Sequence, residues 1–166
     1  SAPVAVYNDE RPRASWADIV VLAERLAPEP PLIPKDEDAR VLMFGIGQEI
    51  CGEDGLGWNL RLMMMEARGH APESLMGRRY DSGDPFEHSR ARVETILGLL
   101  ARRLDGGRYL VGDALTAVDF YWAAFSHLLR CLPEDLCEMP DWYKGLSAAV
   151  LPHLDPIPEA LFAHRD

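Results

Sequence analysis

The sulfur and imidazole side chains are the first candidates for chemistry. Cys51, Cys131 and Cys137 are odd in number and contain no Cys-x-x-Cys pair. Neither a disulfide framework nor a zinc site is indicated. His127 and Cys131 stand four apart, a spacing that one helix face could offer to a metal. No second pair accompanies them, so no metal is expected. Cys51 lies between Glu49 and Glu53, and neighbouring carboxylates raise a thiol pKa. It reads as a buried, inert cysteine, and Cys131 and Cys137 read likewise. The triplet His164-Arg165-Asp166 matches a kinase loop by letters only, since no Gly-rich loop accompanies it. Arg61, within Trp58-Asn59-Leu60-Arg61-Leu62-Met63-Met64-Met65, has the chemistry to meet an anion.

Helices must position these groups. Ser15-Trp16-Ala17-Asp18 is a helix-start pattern, with Ile19, Leu22, Ala23 and Leu26 at helical spacing behind it. Pro28, Pro30 and Pro31 end that helix near Ala27. Asp36, Glu37 and Asp38 load acid onto the start of the next one. Three glycines within residues 52–57 break it, and Trp58 to Ala67 resume it. Residues 69–84 read as a loop. Further helices are expected over 85–104, 116–130 and 141–150, with a last short turn of helix after Pro158.

Thr116 and Asp119 have the spacing of a capping box, a structural role rather than a catalytic one. Residues 3–7 (PVAVY) are the one convincing strand, ended by turn formers at 8–12. A lone strand cannot satisfy its own backbone groups. Nothing later alternates like a partner, so pairing is expected from residues before Ser1 or from another chain.

Three segments carry a family resemblance. The stretch Arg108-Tyr109-Leu110-Val111-Gly112-Asp113-Ala114-Leu115-Thr116-Ala117-Val118-Asp119 resembles the motif that opens a buried helix in glutathione transferases. Ala2-Pro3-Val4-Ala5-Val6 is similar to that family's cis-proline strand. Leu32-Ile33-Pro34-Lys35-Asp36-Glu37-Asp38-Ala39-Arg40 resembles its interdomain linker.

The resemblance implies a mainly α fold: a glutathione-transferase C-terminal-like helical bundle over 32–166, preceded by a partial thioredoxin-like α/β segment over 1–31. It implies glutathione as co-substrate. Ala2 offers its backbone to the cysteinyl unit beside a cis Pro3, and Ser15 holds the γ-glutamyl carboxylate. The family usually has Glu or Gln before this serine, where this chain has Ala14, with Arg13 ahead of it. In this fold the broken helix borders the acceptor cleft, which implies Trp58 and Arg61 as weaker substrate contacts with the methionines as an apolar wall; core packing for the methionines and a structural ion pair for Arg61 are the plainer reading. The family's sulfur-activating Tyr, Ser or Cys precedes the cis-proline strand, so the catalytic residue is not assigned.

Two functions follow. One is a glutathione-transferase-like protein that conjugates or reduces a small electrophile, homodimeric like its relatives. The alternative is a non-catalytic module of the same fold used for protein association. Seventeen basic against twenty-seven acidic residues give a net charge of −10. That disfavours nucleic acid and anionic membrane, where Lys and Arg must neutralise phosphates. No apolar run approaches a membrane span, and no signal-like start is seen, so the cytoplasm is the expected location.

Overall fold

The computed structural model describes residues 3–67 and 85–166. Ala2 and the stretch 69–84 lie outside the described residues. The helices are α1 Trp16–Leu26, α2 Glu37–Cys51, α3 Leu56–Ala67, α4 Pro85–Leu104, α5 Ala117–Ser126, α6 Asp141–Val150 and α7 Glu159–Arg165, with a 3-10 turn at Leu151–His153. Among the described residues no helix is long and apolar enough to cross a membrane.

Their boundaries follow from local chemistry. The Asp36 carboxylate accepts the Ala39 N–H at 2.9 Å and starts α2. The α2–α3 break falls where a Cβ at Gly55 would lie 2.8 Å from the Glu49 carbonyl oxygen. The helix resumes at Leu56, two residues before the expected Trp58. Gly106, at φ +71°, turns the chain after α4, and the Gly107 N–H closes onto the Leu104 carbonyl at 3.0 Å. Helix α5 is shorter than its sequence suggests. Past Ser126 the Leu128 and Leu129 N–H groups reach only three residues back, so 127–130 tighten into turns.

Residues 3–7 depart from expectation. They form no named strand but a single antiparallel bridge, Ala5 with Arg13. The Ala5 N–H donates to Arg13 at 2.8 Å and the Arg13 N–H returns to Ala5 at 2.9 Å. The turn at 8–12, with Asn8 at φ 48°, folds the segment onto its own chain. Pro12 has no N–H to extend the ladder. A pairing partner thus comes from within the chain, although Val4 and Val6 stay exposed.

Helix α3 packs on α4 and α6, α2 on α5, and α7 closes over α4 and α5. Met43, Ile50, Leu60, Met63, Ile96, Leu100 and Trp122 are fully buried between them. Trp122 keeps its indole N–H satisfied on the Leu161 carbonyl at 2.8 Å, which pins α7.

Asp119, buried at the start of α5, ties three pieces of chain together. Its Oδ2 accepts the Thr116 N–H at 2.8 Å and the Thr116 hydroxyl at 2.9 Å. Its Oδ1 accepts the Leu110 N–H at 2.9 Å and meets His164 Nε2 at 3.0 Å. The sequence anticipates the Thr116 bond; the bonds to Leu110 and His164 join the incoming loop and the last helix to the same carboxylate. Removing it leaves two buried N–H groups unpaired, at about 1–3 kcal/mol each. Asp119→Ala is therefore expected to lose about 2–5 kcal/mol in denaturant unfolding; an unchanged midpoint would contradict this role.

Candidate functional site

The candidate site lies where α1 meets α2 and α5. Trp16, the first residue of α1, is the anchor. Its indole N–H donates to Gln48 Oε1 at 3.2 Å. Its ring stands edge-on to Tyr121, centroids 5.7 Å apart, and tilted against Phe44 at 5.9 Å. Gly47 makes the seat, because a Cβ there would come within 2.4 Å of the Trp16 ring.

Ser15, immediately before this anchor, is exposed and has the extended backbone of an N-cap (φ −83°, ψ 137°). Its side chain makes no capping hydrogen bond, contrary to the expected hydroxyl cap. The Ile19 N–H returns to the Ser15 carbonyl at 3.0 Å. The earlier N–H groups of the first turn have no helical acceptor, the general state of a helix start. A fixed helix N-terminus beside an uncommitted hydroxyl suits an anion.

The cations nearby in sequence are engaged elsewhere. Arg13 pairs with Glu10, and Glu10 also takes Arg25. Hydrogen bonds from Arg13 and then Arg25 hold the Glu10 carboxyl below its usual pKa. The Arg25 guanidinium lies 5.9 Å from the Tyr7 ring centroid. This clasp fastens the extended segment 3–7 to α1, with the Tyr7 ring exposed beside Arg25. Pro3 is exposed at the edge of that segment. The Ala2–Pro3 bond involves Ala2 and so falls outside the described residues.

One turn further along α5, Phe125 faces Arg61. The guanidinium sits 5.4 Å from the Phe125 ring centroid, and its Nη1 donates to the Gly57 carbonyl at 2.8 Å. Among the described residues Arg61 has no carboxylate partner within ion-pair distance. That differs from the structural ion pair that is the usual fate of a half-buried arginine. Gly57 allows the approach, since a Cβ there would strike Phe125 at 1.9 Å. Trp58 is half-buried beside it. Met63 and Met64 are core residues, the plainer of their two readings.

Tyr121 and Phe125 thus bring the two patches onto one face of α5. They are four residues apart and stack along the helix. Sequence reasoning missed both, although an i, i+4 aromatic pair in an apolar helix is a visible signal. Burial pushes the Cys51 thiol up to about 12, only partly opposed by the Arg61 charge. The thiol is suppressed as expected, but by burial rather than by acidic neighbours. Burial likewise raises Tyr121 and Tyr143. Cys131 Sγ turns to the His127 carbonyl at 3.9 Å rather than to its ring. Among the described residues no group of three or more His, Cys, Asp or Glu is placed to hold a metal.

No protein-family model matches the sequence, and curated proteins give no match either. The fold is similar to the crystal structure of a glutathione S-transferase from Methylobacterium radiotolerans in complex with glutathione sulfonate. The TM-score is 0.57 at 20% identity, covering 90% of this chain and 67% of that one. The chain therefore has a glutathione-transferase-like fold, with the helical bundle of that architecture.

Two outcomes follow from this geometry. With Cys131 and Cys137 replaced by Ser, Cys51 is expected to react with an aromatic disulfide at pH 8 at least about a hundredfold more slowly in the folded than in the unfolded protein. Comparable rates would remove it from the interior. Gly47→Val is expected to displace Trp16, read as loss of near-ultraviolet circular dichroism with α-helix content largely kept; an unaltered near-ultraviolet spectrum would contradict the anchor.

Proposed function

We propose that this chain belongs to a glutathione-binding protein. The observation that carries the reading is the exposed, uncommitted Ser15 hydroxyl at a helix N-terminus that Trp16 fixes in a glutathione-transferase-like fold. On this reading residues 1–31 close a thioredoxin-like domain and 32–166 form the helical one. The Ser15 hydroxyl and the first-turn N–H groups of α1 receive the γ-glutamyl carboxylate. Ala2 and Pro3 supply backbone contacts to the cysteinyl unit. A relative of the same fold crystallised with glutathione sulfonate supports the ligand.

A small electrophile is proposed to lie against Tyr121 and Phe125, with Trp58 as an apolar wall and Arg61 toward any anionic group. Arg61 suits that role because no carboxylate within the described chain neutralises it. Cys51 does not supply the attacking sulfur, because its thiol stays protonated near neutral pH. The nucleophile is then the thiol of glutathione itself, which adds to the electrophile while its proton leaves to solvent. The protein is proposed to act as a homodimer.

A second reading keeps the fold without the chemistry, as a protein-association module. Ala14 in place of the family's Glu or Gln, and Arg13 neutralised by Glu10, favour it. Calorimetric titration separates the two. Glutathione binding between micromolar and millimolar is expected, and Ser15→Ala should weaken it roughly tenfold, as loss of a hydrogen bond to a charged group implies. No heat of binding at several millimolar glutathione would favour the association module instead.

A further inference from the structure

Arg61 narrows the class of electrophile that the acceptor side takes. It is half-buried and has no carboxylate within ion-pair distance among the described residues. An exposed guanidinium is served by water, whereas a half-buried one gives up part of that hydration. The group carries five N–H donors in a rigid fork. Among the described residues one of these, on Nη1, reaches an acceptor, the Gly57 carbonyl at 2.8 Å. The edge formed by Nε and Nη2, which can pair bidentately with a carboxylate, has no such partner there. The Phe125 ring, with its centroid 5.4 Å from the guanidinium carbon, holds the fork in place.

Tyr143 on α6 supplies a second donor. Helix α6 packs on α3, and the Tyr143 hydroxyl lies near enough for the Arg61 charge to act on it. Burial first, and then the Cys131 thiol, raise the Tyr143 pKa against that charge. The hydroxyl therefore keeps its proton at neutral pH and can donate a hydrogen bond to an anion. The other walls are aromatic. Trp58 stands one turn before Arg61 on α3, and Tyr121 one turn before Phe125 on α5. Such walls suit a flat conjugated frame.

These groups connect to the glutathione end. Trp16 lies 5.7 Å from Tyr121, and Phe125 lies 5.4 Å from Arg61. One helical turn, about 5.4 Å, separates Tyr121 from Phe125. We infer that the acceptor is a flat conjugated electrophile that carries a carboxylate, held by the Arg61 fork and the Tyr143 hydroxyl with its ring against Phe125. The inference rests on the glutathione reading and adds the charge of the substrate to it. The net charge of −10 repels anions at long range, so the selection is local to Arg61.

The test compares two glutathione conjugates that differ only in charge at the far end of the ring. They are S-(4-carboxy-2-nitrophenyl)glutathione and S-(4-carbamoyl-2-nitrophenyl)glutathione, each titrated calorimetrically into the full chain beside glutathione itself. The carboxylate is expected to bind roughly tenfold more tightly than the carboxamide, as hydrogen bonds between charged groups imply. Arg61→Gln should level the two, and Tyr143→Phe should narrow the preference several-fold. Unfolding midpoints check the variants. If Arg61→Gln shifts the midpoint, Arg61→Lys replaces it, keeping the charge without the fork, and part of the preference should be lost. Equal affinities in the unmodified chain, or a preference that survives loss of the Arg61 fork, would overturn the inference while glutathione binding stands. No binding of glutathione or of either conjugate at several millimolar would overturn both readings.

Discussion

A buried carboxylate must be fully hydrogen-bonded or it destabilises the fold around it. Asp119 meets that condition by recruiting the approaching loop at Leu110, its own helix start at Thr116 and the last helix at His164. The arrangement makes α5 a fixed axis rather than one more amphipathic helix. Trp122, one turn on, bonds the Leu161 carbonyl and fastens α7 to the same axis. Everything that looks functional is placed relative to it.

The axis presents different chemistry on its two sides. Tyr121 and Phe125 carry Trp16 of α1 and Arg61 of α3. On the other side Phe120 borders an open pocket lined also by Arg108, Leu115 and His164. The contacts on the first side depend on two glycines. Gly47 admits the Trp16 ring, and Gly57 admits Phe125 and Arg61. A side chain at Gly47 would open the packing that holds the α1 N-terminus against the bundle, and one at Gly57 would displace Phe125 and Arg61. The chain's negative charge also matters. With −10 overall, six described arginines still have no carboxylate within ion-pair distance, and of these Arg61 alone is half-buried, while Arg11, Arg40, Arg102, Arg103 and Arg108 are exposed.

Local signals in the sequence were reliable where the physics is local. The prolines after Leu26, the acids before α2, the Gly106 stop and the Thr116–Asp119 spacing all act within a few residues, and each falls where expected. The glutathione-transferase-like fold was legible because three such segments occur in order. Long-range consequences were not. Nothing in the spacing reveals that Asp119 also holds His164, forty-five residues away. Ser15 carries an N-cap sequence and an N-cap backbone, yet its hydroxyl does not cap. The short strand failed because its turn led the chain back to Arg13, which sequence alternation does not encode.

The central claim is that the α1 N-terminus is an anion site addressed by glutathione. Amide NMR of the isotopically labelled protein tests it directly. The account predicts that titrated glutathione shifts the backbone N–H signals of Ser15, Trp16 and Ala17 saturably, while those of Tyr109 and Phe120, on the other side of α5, stay in place. Saturable shifts confined to other residues, or no shifts at several millimolar glutathione, would contradict it.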